Sequence, residues 1–196
     1  MNLSTTSLGV TTNAAIDLQL HTTYSDGDWT DEELLDYLIA ERFSLAAITD
    51  HDRVDIACGL QKLAADKQFP LLVAVEMSAM WKGQLTDLLC YGFDPNDHHL
   101  YALAQDVTFR QHENTRQVFN YLFSKGYALE PQDLERMLAK PAAQQLPELL
   151  AACRKSRIQQ AKSKHNPDFK YDNALVTNVQ SCKNGSFCLF RRLFPA

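Results

Sequence analysis

No apolar stretch in this sequence approaches the roughly 18 residues that a membrane-spanning helix needs. Residues 1–14 hold no basic side chain and no apolar run of signal-peptide length, so they read as a disordered leader ahead of a cytoplasmic protein. No C-x-x-C spacing occurs. The five cysteines (Cys58, Cys90, Cys153, Cys182 and Cys188) are scattered and odd in number, which excludes a disulfide frame or a zinc knuckle and suits reduced thiols. Internal repeats and low-complexity tracts are also missing. What is present is ordinary for a globular chain: 45% apolar and 22% charged residues over 196 positions, enough to bury one sizeable core.

The charge is unevenly placed. Residues 151–196 hold 9 basic and 2 acidic side chains, a balance of +7, while the preceding part holds 10 basic and 22 acidic, a balance of −12. A swing of that size marks a boundary. It fits either a nucleic-acid-binding arm or sequence that does not belong to the fold.

A regular pattern begins at Ala15. Ile16, Leu18 and Leu20 alternate with Asp17, Gln19 and His21, the period of a strand with two different faces. After a Ser-Asp-Gly turn, Thr30 and Glu33 have capping-box spacing, and Leu34, Leu35, Leu38 and Ile39 give the following helix an apolar stripe. The pattern then predicts strands at 44–49, 70–76 and 85–93 and helices at 54–67, 99–125, 131–138 and 144–164. Strands apolar on both faces, alternating with helices, imply a parallel α/β layer or barrel.

In parallel α/β folds, chemistry gathers at the C-terminal ends of the strands. Four predicted strands supply metal-type side chains: Gln19, His21 and Asp26 from the first, Asp50, His51 and Asp52 from the second, Glu76 from the third and Asp87 from the fourth. Imidazole and carboxylate together suit Zn, Mn or Fe. A lone histidine at a strand end is more often a hydrogen-bonded structural residue, and an Asp-Gly pair is often only a turn. Glu76 resists that reading, because a carboxylate inside an apolar strand costs several kcal/mol unless paired or coordinated. Asp50, next to His51, is placed to fix its tautomer, with Asp17 and Asp52 behind the ligands.

The run from Asp17 to Gly27, D-L-Q-L-H-T-T-Y-S-D-G, resembles the first motif of the PHP (polymerase and histidinol phosphatase) family, usually D-L-H-x-H-T-x-x-S-D-G. Ile48-Thr49-Asp50-His51-Asp52 is similar to the second motif and Val75-Glu76-Met77-Ser78 to the third. The run from Asp87 to Asp94 resembles the family's H-I-L-G-Y-G-x-D. The nearest branch is that of 3′,5′-nucleoside bisphosphate phosphatases and 5′-to-3′ exonucleases acting on short nucleic acids. The resemblance implies a distorted (β/α)₇ barrel with up to three divalent ions, held here by Gln19, His21, Asp26, His51, Glu76 and Asp87. Glu76, His51 and Asp50 would be the catalytic group, a phosphorylated nucleotide or short oligonucleotide the substrate, and Arg110 and Arg116 its phosphate contacts.

This chain departs from the pattern in three ways. Gln19 replaces the first histidine of the H-x-H pair, Asp87 stands at another histidine position, and the family's later ligands have no counterpart. The expected organisation is a leader at 1–14, a metal-site core at 15–98, a helical insertion at 99–150 and a basic tail at 151–196. The C-terminal barrel strands would be missing through truncation or frameshift. Such an open half-barrel would self-associate through its unpaired edge. The competing readings are a non-catalytic metal- or nucleotide-binding module and a nucleic-acid binder working through the tail.

Overall fold

The computed structural model describes residues 14–163. The expectations for the leader and for the tail beyond Ser163 lie outside the described residues. The chain forms β1 (Ala15–Leu20), α1 (Asp31–Ala40), β2 (Phe43–Ile48), α2 (Ala57–Asp66), β3 (Leu71–Leu72), β4 (Ala74–Trp81), β5 (Gln84–Tyr91), α3 (His98–Ser124), α4 (Pro131–Leu138) and α5 (Ala142–Ser163). It divides into two compact units, Met1–Glu76 with Leu89–Ala104 and Met77–Leu88 with Gln105–Ala196. α5 runs continuously across position 150.

In the first unit, β1, β2 and β3 form a parallel sheet in that order. β2 is buried from Leu45 to Ile48, as its unbroken apolar run requires. The Thr30–Glu33 capping box is formed in both directions, and Asp31, Glu32 and Glu33 place negative charge at the positive end of α1. Leu34, Leu35 and Leu38 of α1 then meet Leu60 and Ala64 of α2 over Ala46 and Ile48 of β2. Leu35 is fully buried, a placement that stabilises by about 1.5–3 kcal/mol for one leucine. α1 and α2 both end on a residue in the left-handed region, Arg42 (φ 60°) and Gln68 (φ 54°). After α2 the Phe69 N–H returns to the Ala64 carbonyl and that of Gln68 to Ala65, the paired bonds of a Schellman ending.

Three expectations need correction. The run 70–76 is not one strand: β3 pairs with β2, the Val73 carbonyl turns to accept from the Gly92 N–H, and β4 pairs with β5. β5 is also not a parallel neighbour of β4. Only Lys82 and Gly83 join them, with φ 49° and 76°, a two-residue turn that forces an antiparallel hairpin. The helix expected from 54 opens instead as a 3₁₀ turn, Val54–Ile56.

In the second unit α3, α4 and α5 enclose a separate core of Val118, Phe119, Leu122, Leu129, Met137, Leu149 and Cys153. α3 ends at Gly126 (φ 78°), where the Tyr127 N–H returns to Leu122 in the same Schellman pattern.

Candidate metal centre

Three consecutive parallel segments of the first unit converge at their C-terminal ends. β1 delivers Gln19 and, just past its end, His21. β2 delivers Asp50 and His51. A parallel bridge from His51 to Glu76, with the Asp52 N–H donating to the Glu76 carbonyl at 2.8 Å, brings in the beginning of β4. The turn after β1 is closed by the Ser25 and Gly27 N–H groups, both donating to the Thr22 carbonyl. A Cβ at position 27 would lie 2.3 Å from the His21 carbonyl oxygen. Only glycine lets the chain pass there, and that passage presents Asp26 to His21.

Asp50 holds this turn to the sheet. Its buried carboxylate accepts from the Thr22 N–H at 2.8 Å, the Thr22 hydroxyl at 2.6 Å and the Ser25 hydroxyl at 2.5 Å. The sequence reading placed Asp50 against His51; these three bonds anchor it to the His21 turn, and Ser25 in turn lies 3.4 Å from His21 Nδ1. Thr22 and Ser25 were not singled out from the sequence. The available signal was two short hydroxyl residues in the turn, whose side chains the fold buries.

Both ring nitrogens of His21 face carboxylates. Nδ1 is 3.1 Å from Asp26 Oδ1 and Nε2 is 3.1 Å from Glu76 Oε2. His51 Nε2 stands 3.8 Å from Asp26 Oδ2 and 4.0 Å from Glu76 Oε2, and the two imidazole rings are 4.8 Å apart. Ligand atoms of His21, Asp26 and His51 all lie within 4.8 Å of one another. Burial pushes the His21 imidazole down, but the hydrogen bond and charge of Asp26, with the charges of Glu76 and Asp50, outweigh it and hold the group above the ordinary histidine value. Asp26 is held below the usual carboxylate range, chiefly by its hydrogen bond to His21.

A neutral imidazole donates at one nitrogen only. With a carboxylate against each nitrogen, one contact of neutral His21 sets a lone pair against an oxyanion. The arrangement is complete only with a proton or a cation in the gap, and mixed imidazole and carboxylate donors suit a divalent metal. The residues present therefore fit the group that the motifs imply.

The other expected residues are placed as follows. Gln19 Nε2 donates to Glu76 Oε2 at 3.4 Å, so its NH₂ and not its carbonyl faces the cluster. Asp17 accepts from the Gln19 N–H at 3.2 Å. Asp52 is buried with φ 56°, a left-handed conformation that aspartate tolerates better than most residues. Asp87 is half-buried on β5 in the second unit. Arg110 and Arg116 lie on α3 in that same unit, paired within the helix to Asp106 at 2.8 Å and Glu113 at 4.0 Å.

No protein-family model matches the chain. A curated 3′,5′-nucleoside bisphosphate phosphatase of Chromobacterium violaceum is 32% identical over 115 residues, 59% of this chain and 40% of that one. A solved amidohydrolase from Chromobacterium violaceum, with sulfate bound and no metal, is 30% identical with a TM-score of 0.57, covering 66% of this chain and 46% of the other. A Bifidobacterium adolescentis protein assigned as a metal-dependent phosphoesterase shares the fold at 17% identity, TM-score 0.60, covering 81% and 58%. The chain thus spans less than half the length of the curated phosphatase. Among the described residues no helix is long and apolar enough to cross a membrane. The chain is a mixed α/β protein similar in sequence to a nucleoside bisphosphate phosphatase and in fold to metal-dependent phosphoesterases, in keeping with the PHP resemblance of its motifs.

Proposed function

We propose that this chain carries a PHP-type centre for hydrolysis of phosphate esters of nucleotides or short oligonucleotides, with divalent metal held by His21, Asp26, His51 and Glu76. The observation that carries the reading is His21, whose two nitrogens each meet a carboxylate at 3.1 Å. A bound Mn, Zn or Fe ion would polarise a phosphoryl oxygen and lower the pKa of the attacking water. The chain's own residues do the rest. Glu76 is 6% exposed and meets both histidines, so it is the shared carboxylate. Asp50 fixes the turn that aims His21 and Asp26. Gln19, in place of a histidine, offers a neutral amide and weakens the site for Zn or Fe.

Under this reading the sheet β1–β2–β3 is the opening segment of the family barrel. β1 is its edge, with Ile16 49% exposed, and is the surface through which copies would associate.

Metal content after dialysis, for the parent and for Glu76→Ala, tests the proposal directly. Stoichiometric metal in the parent and little in the variant is expected; equal low metal in both sinks the idea. Phosphate release from adenosine 3′,5′-bisphosphate with added Mn is expected to be slow, because Gln19 and Asp87 stand where the resemblance places histidine ligands. Each absent ligand-shell group typically costs 10- to 100-fold. Turnover of about 1 per second that vanishes in Glu76→Ala would show that the centre is complete as it stands.

A further inference from the structure

The turn that carries His21 and Asp26 also carries an aromatic side chain that the metal centre does not use. Tyr24 is three residues from His21 and two from Asp26, so its Cα lies within about 11 Å and about 7 Å of theirs. It is 36% exposed, yet it is fixed from several directions. Its N–H donates to the Thr22 hydroxyl at 3.2 Å. The Arg53 guanidinium lies over one side of the ring, 5.3 Å from the centroid. Arg53 is itself locked, with Nε and Nη2 each 2.8 Å from the Asp55 carboxylate and Nη1 donating to the Tyr24 carbonyl at 2.8 Å.

That arrangement is an unusual use of an arginine beside a phosphate-type site. Its fork is engaged by Asp55, so its contribution is to steady a neighbouring ring and not to reach for a free anion. A cation over one face of a tyrosine is attracted by the ring quadrupole and steadies the ring. Exposed, immobilised aromatics beside a nucleotide-hydrolysing centre suit base stacking, which tolerates every base because each has a π-face. A second aromatic adjoins the same turn: the Thr23 N–H donates to the Trp29 carbonyl at 2.8 Å, and the Trp29 ring meets Tyr37 edge-on.

We propose that Tyr24, propped by Arg53, is the nucleobase platform of this centre and sets its preference for nucleoside over base-free phosphate esters. The proposal rests on the phosphoesterase reading and names the part of the substrate that the metal ligands do not touch. Tyr24 is a binding residue in this role, and the chemistry at phosphorus does not depend on it.

The test is equilibrium binding by the full chain with Mn present, using two ligands: adenosine 3′,5′-bisphosphate and the abasic tetrahydrofuran 3′,5′-bisphosphate. The parent is expected to prefer the nucleoside by about tenfold, the scale of one base stacked on one aromatic ring. Tyr24→Leu should abolish that preference by weakening the nucleoside alone, while Tyr24→Phe retains it and Arg53→Lys reduces it. Unchanged metal content in each variant checks that the turn is intact. Equal binding of both ligands by the parent, or a preference that survives in Tyr24→Leu, overturns the platform and leaves the phosphoesterase reading standing. Failure of the parent to bind either ligand better than Glu76→Ala does overturns both.

Discussion

The two units bury different kinds of group. In the first, Thr22, Ser25, Thr49, Asp50, Asp52 and Glu76 are all buried, most of them within or beside the strand ends. In the second, the buried polar residues among those described are Thr115 and Gln145, against a helical core of mostly apolar side chains. Gln145 leaves its side-chain oxygen without a partner while its NH₂ donates to the Lys140 carbonyl. Burying polar groups brings no net gain unless every one is bonded, so the polar part of the first unit's interior adds geometry to the stability that its leucine core supplies. The first unit satisfies that condition to position a reactive cluster; the second buries mostly apolar side chains.

The largest effect that would break this contrast is on the Asp50 network. Asp50→Ala strips three buried donors of their acceptor, at about 1–3 kcal/mol for each group left unsatisfied. Metal affinity should fall with stability, by roughly 10- to 100-fold, because the turn bearing His21 and Asp26 loses its anchor. Chemical denaturation and metal titration on one preparation would check both, and loss of stability without loss of affinity would detach Asp50 from the site. Leu149→Ala, in the second unit, is expected to cost about 2–5 kcal/mol through the cavity it leaves, with metal affinity within twofold. If affinity fell in proportion, the contrast would collapse. Gln19→His is a gain-of-function probe: Zn or Mn should bind about tenfold tighter, 1.4 kcal/mol. Affinity within twofold would mean that position 19 only supports Glu76.

The smallest effect is on pH. His21 sits above its ordinary value of 6.5. Its charged form therefore contributes stability to the metal-free protein that is fully present below about pH 6.5 and is lost as the pH rises through the higher folded value. Asp26 sits below its ordinary 3.8, so its contribution is present above that pH and is lost as the pH falls through the lower folded value. Metal competes with the His21 proton, so affinity should rise over the same interval in which metal-free stability declines. Melting curves with and without Mn from pH 5 to 8 should diverge. Parallel curves would place His21 away from the metal.

Much of the first unit was legible because its signals are local. Thr30 and Glu33 define the start of α1 by spacing alone, and the leucine stripe defines its buried face. The alternation through Asp17, Gln19 and His21 delivered the strand end, and Asp26, His51 and Glu76 followed from motif order. What escaped depends on contacts that sequence order does not encode. The run 70–76 is uniformly apolar, so nothing in its periodicity reveals that Val73 separates a strand pairing with β2 from one pairing with β5. The Lys82-Gly83 turn lacks the Asn-Gly or Asp-Gly pair that flags a tight hairpin, and the two strands were read as consecutive parallel members. Asp50 was assigned to its neighbour in sequence, His51, when its bonds reach 25 and 28 residues back to Ser25 and Thr22.

Arg42 and Gln68, the left-handed residues that close α1 and α2, bear on how this chain could be engineered. Each occupies a conformation that glycine adopts freely and a side chain resists. Among the described residues, neither makes a hydrogen bond or ion pair with the reactive cluster. Glycine at both positions would relieve that resistance and give the scaffold thermal headroom. That reserve would offset part of the loss expected from a substitution such as Asp50→Ala.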